Sequence, residues 1–150
     1  MGTYGYISII AMVCYAFMLL MFLAAKRNKI VNSFLVVLTG LLLWTGGSAF
    51  MRAQLWPQYE FWYQVSLFGI LLLPYAYYRF ILAFGGVREG MVGKLYLAVI
   101  LTCLVANIWN GFFLACPELV EKNGTPTFVY DIKPTILVLF LLEPFCYTCL

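Results

Sequence analysis

Apolar residues run along this chain in blocks of about 20, separated by short polar turns, with no sustained alternation of the kind a half-buried strand shows. Five such blocks are expected as helices, over about residues 4–25, 30–51, 61–84, 95–115 and 135–150. At roughly 1.5 Å per residue the third block, Phe61 to Phe84, covers about 36 Å, more than a hydrocarbon core of about 30 Å requires. It opens with Phe61, Trp62 and Tyr63, rings suited to a headgroup boundary. Pro74 stands near its centre, cannot donate to the carbonyl of Ile70, and is expected to bend the helix there. Tyr75, Tyr77, Tyr78 and Arg79 follow as a polar-tipped cluster inside an apolar segment. The pattern is that of an all-α polytopic transmembrane bundle with about five spans, forming a single domain across residues 1–150.

The punctuation between the blocks sets an orientation. Lys26, Arg27 and Lys29 follow the first block, and Arg88 and Lys94 flank a single Glu89 after the third. Basic loops stay in the cytoplasm, so the N-terminus is expected outside and the chain integral to the cell membrane as a multi-pass protein. No positive charge precedes the first block, which is therefore not a secretory signal. The second block holds Thr39, Gly40, Thr45, Gly46, Gly47 and Ser48 around Trp44, small residues that allow close helix contact. Gly85-Gly86 is a helix stop. In the long loop 116–134, Phe128-Val129-Tyr130 fits a short strand or an interfacial dip, and Asn123-Gly124 fits a turn better than a glycosylation site. The last apolar segment stops after 16 residues with no basic residue beyond it, so the chain reads as part of a longer protein.

Composition removes several function classes. The chain is 65% hydrophobic and 10% charged, against about 25% charged in soluble domains, so it cannot present a wetted surface all round. A net charge of +3, spread between the blocks, provides no nucleic-acid surface. There is no histidine, which removes histidine acid–base chemistry and most zinc sites; no cofactor is expected, and no metal cluster stands out. Five cysteines, an odd number, form no disulfide framework. Cys146-x-x-Cys149 spells a thiol-exchange motif, but it is expected toward the reducing side and lacks a neighbouring cation to hold a thiolate. No residue is assigned a catalytic role.

Candidate ligand chemistry lies within the blocks. Glu143 is the one acid well inside a predicted span, where a carboxylate is costly unless paired, protonated or wetted, and Pro144 beside it favours a broken turn. From the outer boundary, Glu143 lies about 13 Å deep, Asn107 about 12 Å and Asn110 about 8 Å. On the third block the same depth falls near Gly69 and Ile70. Glu143, Asn107, Asn110, Gly69 and Tyr75 are thus the expected ligand-binding residues, with Pro74 and Pro144 as hinges. The bland alternative is that the asparagines only tie helices together. Tyr75 and Arg79, four apart, share a helix face, and Arg79 either snorkels to headgroups or pairs with Glu143.

The basic turn Lys26-Arg27-Asn28-Lys29, the second block with Trp44 and small residues, the loop with Trp56, and the aromatic third block with Gly69, Pro74, Phe80 and Phe84 together resemble a known arrangement. It is the N-terminal seven-helix sensor region that precedes the catalytic domains of many bacterial histidine kinases and diguanylate cyclases. The resemblance covers about five of the seven helices. It implies a receptor, non-enzymatic in itself, that passes a ligand or membrane signal to a cytoplasmic output domain outside this chain. Expected partners are the lipid bilayer, a small-molecule or lipid ligand, and a second copy through that output domain. The competing reading is a transporter or membrane-complex subunit using Glu143 for proton or cation coupling.

Overall fold

The computed structural model describes residues 3–87, 90–110, 117–122 and 125–129. Four helices carry it: α1 (Thr3–Ala24), α2 (Lys29–Arg52), α3 (Tyr59–Phe84) and α4 (Met91–Asn110). Among the described residues α1, α2 and α3 are long and apolar enough to cross a membrane, whereas the apolar run of α4, Gly93–Asn107, is shorter. The chain divides into two compact units, Met1–Ile100 and Leu101–Leu150.

The expected helices form, with shifted ends. α3 begins at Tyr59 rather than Phe61, because Gln58 takes an extended cap conformation and Glu60 suits the positive end of the helix dipole. α4 begins at Met91 rather than Leu95, since an exposed Lys94 sits in a first helical turn without being buried. The basic turn after α1 is closed by Asn28, whose side chain accepts the Val31 backbone N–H at 2.7 Å, and Lys26, Arg27 and Lys29 are all exposed. Gly86 ends α3 with φ +70°, and the Val87 N–H reaches back to the Leu82 carbonyl at 3.0 Å. The fifth block, 135–150, lies outside the described residues.

In the first unit α2 is the central element. α1 packs on it through Phe22 and Phe34, ring centroids 4.8 Å apart, and leaves Ile7, Ile10, Val13, Phe17 and Leu20 exposed along one side. Such a stripe is stable against lipid and costly in water. The ring series continues from Phe34 to Phe80 of α3 at 5.6 Å and on to Phe84 at 6.3 Å. Val37 of α2 packs with Leu73 and Ala76 of α3, the residues on either side of Pro74 and Tyr75.

Close approach of α2 and α3 follows from the small residues. A β-carbon on Gly69 would stand 2.4 Å from the Trp44 nitrogen and 2.8 Å from the Gly40 oxygen; on Gly47 it would stand 2.6 Å from the Ser66 nitrogen. Neither is possible, so glycine alone permits the contact. Ser66 Oγ donates to the Trp44 carbonyl at 3.0 Å and lies 3.0 Å from Ser48 Oγ. A hydroxyl has one proton, so with that of Ser66 on Trp44 the second bridge runs from Ser48 to Ser66. Thr39 and Thr45 bond instead to the carbonyls of Leu35 and Leu41 within their own helix, both at 2.8 Å.

The second unit adds to the all-α expectation a two-stranded antiparallel hairpin, β1 (Glu118–Lys122) and β2 (Thr125–Val129), in which Leu119 pairs with Phe128 and Lys122 with Thr125. The strand reading of Phe128-Val129 is correct; Tyr130, and the turn expected at Asn123-Gly124, lie outside the described residues.

Candidate functional site

Tyr75 and Tyr78 fall three residues apart on α3, and both are buried. They meet Tyr96 on α4, with ring centroids 6.4 Å from Tyr75 and 6.3 Å from Tyr78. The Arg79 guanidinium lies over the Tyr75 ring at 5.9 Å. This distance is within the range of a cation–π attraction, which strengthens as the surroundings lose water. The expectation that Tyr75 and Arg79 meet on one face is therefore correct. Three phenol groups and one guanidinium thus converge where α3 faces the start of α4, within the first unit.

Pro74 precedes this cluster by one residue, and α3 runs through it without interruption to Phe84. Proline removes the N–H that would bond to the Ile70 carbonyl, so the turn above the cluster carries one hydrogen bond fewer than an ordinary helix. Leu73 and Ala76 pack on Val37 on both sides of it, which supports the weakened turn against α2.

The other nominated residues have different settings. Gly69 is buried, and the side where a side chain would project is filled by α2 main chain at Trp44 and Gly40. Gly69, expected among the ligand-binding residues, lies at a helix–helix contact. Asn107 is buried at 5% exposure in the second unit, and Asn110 closes α4. Glu143 and Pro144, with the Arg79–Glu143 pairing that depends on them, lie outside the described residues, as do Cys146 and Cys149. Cys14 and Cys103 are free thiols. Among the described residues no group of three or more histidine, cysteine or acidic side chains is placed to hold a metal ion.

Two participants escaped the sequence reading. Ser66 lies three residues before Gly69 and therefore on the same helix face, a spacing of small residues that would have marked it as a contact position. Tyr96 looked like one more aromatic residue at a helix start, and only its position against Tyr75 and Tyr78 distinguishes it.

None of the curated proteins and none of the solved structures matches the chain. The family described as the N-terminal 7TM region of histidine kinase matches residues 7–150. The membrane-length helices, the lipid-suited face of α1 and this match agree, and the chain belongs to the N-terminal 7TM regions of histidine kinases, the non-catalytic membrane sensor part of those proteins.

Proposed function

We propose that this region receives a ligand or membrane signal and relays it along α3 to a cytoplasmic kinase output. The observation that carries the reading is the contrast between the two halves of α3. Its first half is joined to α2 by glycine-to-backbone contacts and the Ser48–Ser66–Trp44 bridge, while its second half, from Pro74 on, touches α2 through side chains, Ala76 on Val37 and Phe80 on Phe34, and meets Tyr96 of α4 with the rings of Tyr75 and Tyr78. A stimulus that favours one packing of Tyr75, Tyr78 and Tyr96 shifts the lower half of α3 while α2 holds the upper half. Pro74 is the bend in this scheme, and Pro144 a second one in the fifth segment. The N-terminus is outside, which puts the basic α1–α2 turn in the cytoplasm. Tyr75 responds to the ligand on this reading; roles for Asn107, Asn110 and Glu143 in ligand binding are tested by substituting each in turn. The partners are the bilayer of the cell membrane, a small-molecule or lipid ligand, and a second copy joined through the output domain.

The experiment is autophosphorylation of the whole kinase that carries this region, reconstituted in phosphatidylcholine vesicles. Pro74→Ala and Arg79→Gln should each change the rate severalfold, although neither touches the catalytic part. Leu95→Ala, on an exposed position, should leave it unchanged. Equal rates in all four proteins refute the relay.

A further inference from the structure

The loop between α2 and α3 is short, fastened at both sides, and apolar at its tip. α2 closes through Gln54 at φ 51°, with the Gln54 N–H on the Met51 carbonyl at 3.1 Å and the Leu55 N–H on the Phe50 carbonyl at 3.3 Å. From the other side the Trp62 indole N–H donates to the Leu55 carbonyl at 3.2 Å, and the Trp62 ring stacks edgewise on Phe50 at 4.7 Å. A loop held in this way does not fold its side chains back. Trp56 is 88% exposed, Phe61 51% and Leu55 46%, whereas Tyr63, which the sequence placed with the boundary rings, is only 6% exposed.

The position of the loop identifies what covers these residues. α2 has 24 residues and α3 has 26, and at roughly 1.5 Å per residue both exceed a hydrocarbon core of about 30 Å. A turn joining two such helices emerges at the headgroup level. Tryptophan suits that level because its ring is apolar and its indole N–H is a donor that glycerol and phosphate oxygens accept.

We propose that Leu55, Trp56 and Phe61 form a foot that inserts into the phospholipid headgroup–glycerol layer and fixes the depth of the α2–α3 pair. The proposal requires a membrane-spanning α2–α3 pair but not a relay through Pro74, so either can fail alone. The test uses the full chain labelled with 5-fluorotryptophan in phosphatidylcholine nanodiscs, with the Trp56 resonance assigned from Trp56→Phe. Phosphatidylcholine spin-labelled near the headgroup should broaden this resonance severalfold more than an aqueous gadolinium chelate does. Broadening by the aqueous agent as strong as for free 5-fluorotryptophan would place the loop in water and overturn the proposal. Protection from both agents would overturn it in favour of a protein cover, either a second copy or another segment. In Trp62→Phe, which removes the bond to Leu55, the lipid broadening of Trp56 should fall; undiminished broadening would mean that the brace does not hold the foot in place.

Discussion

Gly47 and Gly69 are the positions where a single methyl group meets main chain rather than a side chain that can turn away. Forcing extra volume into a packed contact costs about 1–3 kcal/mol, and here backbone has to move. Gly69→Ala and Gly47→Ala should each lower the thermal stability of the detergent-solubilised protein by at least that amount. Gly90→Ala, with nothing within 4 Å, should be close to neutral, and equal stability of all three variants would remove the contact from the account. Gln54 presents the opposite case. A side chain in the left-handed region costs roughly 1–2 kcal/mol, more than the roughly 0.5–1 kcal/mol glycine loses in chain entropy. Gln54 is exposed and closes α2 with φ 51°, so Gln54→Gly should raise stability by about 0.5–1 kcal/mol in the same unfolding measurement. A loss would show that its side chain contributes something the backbone geometry omits.

At the scale of elements, α3 is one continuous helix with two kinds of contact along it. Above Pro74 it shares backbone contacts and hydroxyl bridges with α2; below it Ala76 and Phe80 meet Val37 and Phe34 of α2 through side chains, and Tyr75 and Tyr78 meet Tyr96 of α4 through their rings. Much of this was legible in the sequence. The length and apolar content of the blocks gave the helices, the small residues of the second block gave a contact face, and Pro74 with the tyrosines and Arg79 gave the cluster. The role of Gly69 was not legible, because a glycine opposite a cavity and a glycine opposite a backbone are the same letter. Nor was the setting of Tyr63 and Trp56. Both are aromatic and near a boundary, and only the turn of α3 relative to α2 decides which one is buried. The hairpin was half visible, since Phe128-Val129 shows the strand but Glu118–Lys122, with three charges in five residues, does not.

At the scale of the whole molecule, the family match and the membrane-length helices describe a membrane sensor region, and the relay proposed for it runs through α3 of the first unit. On the proposed relay, a change of output state moves the lower half of α3 against α4 and leaves its upper half fixed against α2. Spin labels at exposed positions test this in the whole kinase in phosphatidylcholine vesicles, with one pair at Thr39 and Ile70 and the other at Ile81 and Leu95. Distances are compared between the parent protein and Pro74→Ala, which set two levels of output. The Thr39–Ile70 distance should stay unchanged and that between Ile81 and Leu95 should shift by about 1–5 Å, the range of helix displacements in switching proteins. A shift confined to Thr39–Ile70, or no shift in either pair, would contradict the relay.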